Sequence, residues 1–188
     1  MKTKKSNQRH LIIGAGETGM ALKKVLSPRY DAAIRDIHNS VSGRFAVIHI
    51  CYPPVKNFIA ITKGYIKEYS PDLVIIHATV PVGTTRKVGE LAVHSPIRGV
   101  HPKLDKGIKT FVKYFGGEKA REAARIFSRA GIKTKVLKNS ETTELLKILD
   151  TTYYAWNVVF AKEVKRVCDT LNLDFQEAGS EFSLASDN

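Results

Sequence analysis

The sequence predicts an α/β fold: a doubly wound, mainly parallel sheet followed by a long carboxyl-terminal helix. Three observations predict it. Short apolar runs bounded by Gly or Pro alternate with longer stretches of helical composition, the rhythm of β-α-β units. A glycine-rich turn closes the first apolar run and opens the first helical stretch. From Glu141 to Leu171 no Gly or Pro interrupts the chain, and Leu145, Leu149, Trp156, Phe160, Val164, Val167 and Leu171 recur near helical spacing.

In chain order, the first strand runs from His10 to Ile13, and Met20 to Leu26 has helical apolar spacing that stops near Ser27-Pro28. A second strand covers Asp31 to Ile34 and ends at Arg35-Asp36, and residues 38–43 are turn-like. Phe45 to Cys51 is a third strand closed by Tyr52-Pro53-Pro54, with a helix over Val55 to Tyr69. Leu73 to Ala78 is the fourth strand, and after Pro81-Val82-Gly83 a helix is expected from Thr84 to Val93. Gly99-Val100-His101 and Phe111 to Phe115 read as strands, Lys119 to Arg129 as a helix, and Ile132 to Leu137 as a last strand. Residues 1–138 are thus expected to form a nucleotide-binding domain, 139–175 a long helix and 176–188 a polar, frayed tail. Tyr153 to Phe160 is apolar almost all round the helix, so it needs cover from the sheet or from a second copy of the chain.

At 188 residues the chain is one domain in size. Thirty Lys+Arg against 18 Asp+Glu give a formal charge of +12, which suits an anionic partner such as a phosphorylated metabolite. Nucleic acid is disfavoured, because neither an aromatic-interleaved motif nor a recognition-helix signature accompanies the charge. Two distant cysteines, Cys51 and Cys168, fit neither a disulfide scaffold nor a zinc site. The basic start lacks a signal-peptide core, and no run approaches a membrane span, so a cytoplasmic protein is expected.

Gly14-Ala15-Gly16-Glu17-Thr18-Gly19 satisfies G-x-G-x-x-G at a strand-to-helix turn. Its glycines allow a tight turn, close approach of a pyrophosphate to main-chain N–H groups, and close helix-sheet packing, while the helix N-terminus faces the phosphates. Asp36, 17 residues after Gly19, stands where a carboxylate accepts hydrogen bonds from the adenosine ribose hydroxyls and repels a 2′-phosphate. A Rossmann-like fold with NAD as cofactor is therefore expected; neighbouring Arg35 weighs against the preference over NADP. At two further strand ends, Tyr52 and Pro53 would pass near the cofactor ribose, and Thr79-Val80 would place a hydroxyl beside the nicotinamide.

These residues resemble the nucleotide-sugar dehydrogenases of the UDP-glucose/GDP-mannose dehydrogenase type. The likeness rests on the glycine loop with Asp36-Ile37, on Ala78-Thr79-Val80-Pro81-Val82-Gly83-Thr84-Thr85, and on Glu144 to Ile148 through Asn157, Phe160 and Glu163. It implies an NAD-dependent oxidoreductase, or its cofactor-binding half, dimerising through the long helix. In such enzymes a Lys on the linking helix, with an Asn one turn on, steadies the oxyanion; Lys147 matches the Lys, and Thr151 stands at the Asn position. The family's catalytic Glu corresponds to Lys103 in His101-Pro102-Lys103, and its nucleophilic Cys lies in a region beyond this chain's match. Without that thiol a single hydride transfer is expected rather than a four-electron oxidation, with Lys147 on the alkoxide and His101, or a water held by Thr79, taking the proton. Two alternatives stand beside it: a catalytically silent NAD-binding module completed by a partner chain, and a prephenate-dehydrogenase-like enzyme suggested by His101-Pro102. His49 and His77, inside apolar strands, are read as core or rim residues rather than metal ligands, and Lys162 to Arg166 as a solvated helix face.

Overall fold

The computed structural model describes residues 8–180; residues 1–7 of the basic start and 181–188 of the polar tail lie outside the described residues. The chain forms two units, Met1–Lys147 and Ile148–Asn188. In the first, β1 (Arg9–Ile13), β2 (Asp31–Arg35), β3 (Val47–Ile50), β4 (Leu73–Ile76) and β5 (Ala92–His94) build one parallel sheet in the order β2-β1-β3-β4-β5. The order reverses at β1, so the crevice between the carboxyl ends of β1 and β3 is the topological switch point of a Rossmann-like, doubly wound domain. A second parallel pair, β6 (Lys113–Phe115) and β7 (Thr134–Val136), meets the edge of the main sheet through an antiparallel bridge between His94 and Gly116.

Helices lie over both faces because β3 and β4 are apolar on both. Ile12, Val47, Leu73 and Ile75 pack with α1 (Glu17–Leu26), α4 (Leu104–Thr110) and α5 (Ala120–Arg129). Leu11, Ile13, Ile48, Ile50 and Ile76 pack on the other face with α2 (Phe58–Tyr69) and α3 (Thr84–Val88). Each fully buried Leu or Ile here contributes about 1.5–3 kcal/mol.

Two sequence expectations fail in the first unit. The helix expected over Thr84 to Val93 stops at Val88, because Gly89 takes φ 138°, and Ala92–His94 then turns into the fifth strand. Gly99-Val100-His101 is a loop rather than a strand, with Val100 77% exposed, and the unforeseen helix α4 follows it.

Beneath the first sheet face lies a ladder of imidazoles, His10 from β1, His49 from β3 and His77 from just beyond the end of β4. His10 Nδ1 is 2.9 Å from His49 Nε2, His49 Nδ1 is 3.1 Å from His77 Nε2, and His77 Nδ1 is 2.7 Å from the Ser95 carbonyl. A carbonyl can only accept, so every Nδ1 carries the proton and the ladder donates in one direction, from His10 towards Ser95. The buried Lys113 ammonium closes that end, donating to the Ser95 and Pro96 carbonyls at 3.0 and 3.2 Å. His49 and His77 are thus core residues, as read from the sequence, and the described residues hold no metal-binding cluster of His, Cys, Asp or Glu.

The long helix α6 spans Ser140–Leu171, and the boundary between the two units falls inside it. In the second unit Tyr153, Tyr154, Trp156 and Phe160 are 69, 72, 68 and 60% exposed. Lys165 pairs with Asp169, and Arg166 with Glu163 at 2.7 Å, so the basic stretch is laced by pairs along its own helix. Gln176–Ser180 forms a π-helical turn where a frayed tail was expected.

Candidate functional site

The glycine loop links β1 to α1, and each of its glycines is required by something different. Gly14 has φ 104°, and a Cβ there would lie 2.8 Å from the Tyr52 nitrogen, so it lets the loop pack on the end of β3. A Cβ on Gly19 would fall 1.9 Å from the Gly14 carbonyl oxygen, so it lets α1 seat against the loop. At Gly16 an added Cβ would meet nothing within 4 Å. Gly16 is the N-cap of α1 and no side chain caps it; the first intrahelical bond runs from Met20 N–H to Gly16 O at 3.0 Å. The amides of the first helical turn, from Glu17 on, therefore precede the helical ladder at an uncapped helix end, the arrangement that receives a phosphate.

Asp36 stands across the same crevice. Its carboxylate accepts from Ile37 N–H at 2.7 Å and from Ala15 N–H at 2.6 Å, and these two main-chain bonds hold its pKa below the usual carboxylate range. It is ionised at neutral pH, and its remaining lone pairs suit a pair of ribose hydroxyls. The void at Gly16, the uncapped helix amides and the fixed carboxylate together fit an adenine dinucleotide. His101 lies at the same helix end, with Nδ1 2.6 Å from Glu17 Oε2. Tyr52 is turned inward. Its hydroxyl donates to Thr62 Oγ1 at 2.7 Å, since the Thr62 proton is spent on the Phe58 carbonyl, and burial pushes its pKa up to about 12. Pro53 is exposed on the loop beside it.

The β4 loop is held from both sides by the first turns of α6. Thr79 is exposed at its head, whereas Val80 is buried in the second core and offers a ligand no side chain. Immediately before Thr79, the Ala78 carbonyl accepts from His94 Nε2 at 3.1 Å, and the other nitrogen of His94 lies 2.9 Å from Thr143 Oγ1. At the far end, the buried Glu144 carboxylate accepts from Gly83 N–H at 2.6 Å and Thr85 N–H at 2.8 Å. Lys147 follows Thr143 and Glu144 by about one turn on the same helix, and its charge reaches His94. Thr79 and Lys147 both belong to the first unit, while Thr151 belongs to the second. Glu144, Thr143 and His94 are not foreseen as site residues, because the opening of α6, Ser140-Glu141-Thr142-Thr143-Glu144, reads as an ordinary polar helix start. Glu144→Gln turns one amide donor against another and should lower stability by about 2 kcal/mol, read as a lowered midpoint in chemical denaturation.

Fold and site define a Rossmann-like, doubly wound domain. Among characterised proteins, the chain is similar to nucleotide-sugar dehydrogenases: it is 26% identical to the UDP-N-acetyl-D-mannosamine dehydrogenase of Methanococcus vannielii over 116 residues, 57% of this chain and 27% of that protein. It is 28% identical to the Pyrococcus horikoshii enzyme of the same name over 123 residues, 56% of this chain and 29% of that protein. The chain therefore matches less than a third of the length of these relatives. The solved UDP-D-ManNAc dehydrogenase from Pyrococcus horikoshii superposes with a TM-score of 0.78 at 20% identity, over 91% of this chain and 56% of that one. The 3-hydroxyisobutyrate dehydrogenase of Mycobacterium tuberculosis gives 0.70 at 17% identity, over 96% and 70%. No protein-family model matches the chain.

Proposed function

We propose that this chain binds NAD across the carboxyl edge of its sheet and is an NAD-dependent oxidoreductase, or the cofactor-binding half of one, acting by a single hydride transfer on an anionic alcohol. The observation that carries the reading is the open space at Gly16, the uncapped N-cap of α1, in a loop whose Ala15 N–H donates to the ionised Asp36. Similarity to nucleotide-sugar dehydrogenases supports it over a silent binding module and over a prephenate-type enzyme. NAD, when bound, supplies the hydride acceptor. The Lys147 ammonium would stabilise the developing alkoxide, with the Thr151 hydroxyl one turn further along the helix. The Glu17 carboxylate fixes the proton of His101 on Nδ1, which leaves Nε2 as the base for the alcohol proton; a water held by Thr79 is the other route. The +12 charge suits a phosphorylated substrate.

Lys147→Ala should abolish turnover, by about a thousandfold, with NADH binding unchanged, in steady-state assays on a panel of phosphorylated alcohols and nucleotide sugars. NADH binding with no turnover on any of them, wild type included, would instead leave the silent module. A homodimer through the aromatic stretch of α6 completes the proposal, because four large aromatic side chains between Tyr153 and Phe160 are exposed among the described residues. Sedimentation should give twice the chain mass, and Trp156→Glu should halve it. Among the described residues no helix is long and apolar enough to cross a membrane, and both cysteines are unpaired, in keeping with a cytoplasmic setting.

A further inference from the structure

Arg35 precedes Asp36 directly, so it is the guanidinium within reach of the ribose-binding carboxylate by sequence. A cation beside that carboxylate is what accommodates the 2′-phosphate of NADP. In the structure Arg35 is engaged elsewhere. Its Nη1 pairs with Glu68 and with the Tyr69 hydroxyl. Its Cζ lies 5.0 Å from the ring centroid of Tyr65 and 5.3 Å from that of Tyr69. The Tyr69 hydroxyl donates in turn to the Val41 carbonyl at 2.9 Å, which anchors this cage to the segment after β2. The Arg35 side chain is left only 19% exposed. Asp36 keeps its two main-chain donors on the opposite side of the strand, against the glycine loop.

We infer that the last turn of α2, through Glu68, Tyr69 and Tyr65, holds Arg35 away from the ribose site and thereby makes the chain selective for a dinucleotide without a 2′-phosphate. The inference rests on the dinucleotide reading above and deepens it. Asp36 alone would repel a phosphate; the cage removes the adjacent guanidinium that could offset that repulsion, in a protein otherwise rich in cations. A guanidinium freed from the cage would form charge-assisted hydrogen bonds with the phosphate.

Fluorescence titration of the full chain with NADH and NADPH tests this. Wild type should prefer NADH. Glu68→Gln keeps the shape of an exposed side chain and should raise NADPH affinity about tenfold or more, with NADH affinity unchanged. Adding Arg35→Ala to Glu68→Gln should erase the gain, whereas Arg35→Ala alone should leave the NADH/NADPH ratio at its wild-type value. Tyr69→Phe, which keeps the ring, should move the ratio the same way as Glu68→Gln. The inference is overturned if both cage variants fold, by circular dichroism, with an unmoved ratio, or if Arg35→Ala alone shifts it. Wild type that fails to bind NADH would overturn the proposed function and this inference with it, whereas NADH binding with an unmoved ratio overturns the inference alone.

Discussion

Gly16→Val is expected to weaken NADH binding by about a hundredfold while leaving thermal stability nearly unchanged, and Gly19→Ala is expected to do the reverse at the level of the fold. The two glycines lie three residues apart in one motif, yet their surroundings are opposite. Gly16 has φ −65°, which any residue adopts, and its Cβ direction is empty, so a side chain there displaces only a ligand. Two lost charge-assisted bonds from the helix amides cost about 3 kcal/mol, which sets the hundredfold figure. Replacing a Gly N-cap by Val costs the helix about 1 kcal/mol at most. At Gly19 the methyl would collide with the Gly14 carbonyl at 1.9 Å, and both atoms belong to packed backbone. Either helix or loop must shift, so the chain should lose several kcal/mol or fail to fold. Parallel thermal melts and NADH titrations of both variants check this; a Gly16→Val protein that binds NADH like wild type would remove the phosphate site.

The contrast shows how much of the site was legible in the sequence. The glycine motif and Asp36 could be read because their chemistry is local: a strand, a turn and a helix within 23 residues of each other. The clamp on the β4 loop could not be read in the same way. Glu144 meets the Gly83 and Thr85 amides across about sixty residues of chain, a pairing fixed only once α6 packs on the sheet unit. The fifth strand was missed because Leu91-Ala92-Val93 continues an apolar helical pattern, and only Gly89, with its positive φ, marks the break. Helix α4 was missed because a short helix with Leu104 and Ile108 as its buried large side chains leaves little periodicity to find. One at a time, His49 and His77 read from the sequence as core or rim residues, and both are buried. Their joining into a ladder depends on register, since His49 lies opposite Ile12 on β1 rather than opposite His10.

That ladder makes stability steeply dependent on acid. Desolvation holds His10 at about 4, against a weaker opposing pull from Asp31, and the same cause holds His94 at about 4 and His49 and His77 well below the ordinary imidazole value. Each ring would have to be protonated in a dry interior where its neighbours already fix the hydrogen-bond direction. The folded-state pKa values are lowered, so as pH falls below about 6.5 the unfolded chain takes up protons that the native state refuses, and stability is lost. For His10 and His94 the window runs from about 6.5 down to about 4, a loss of about 3 kcal/mol each at its lower end. Those two alone reach the scale of a domain's whole stability, about 5–15 kcal/mol. Burial likewise pushes Lys113 down to about 7, so the unfolded chain stays protonated above that pH while the native chain does not, and stability rises again from about 7 towards 10.5. Urea denaturation at fixed pH steps should therefore give free energies that climb from pH 4.5 to 6.5 with a slope of several protons, followed by a gentler climb above neutrality. Acid unfolding should have its midpoint near pH 5. His94→Gln should flatten the acid limb by about one proton, whatever it does to stability at neutral pH. A stability curve level between pH 7 and 4.5 would mean that the imidazoles are charged or hydrated in the native chain, and would break the one-way chain of bonds from His10 to Ser95.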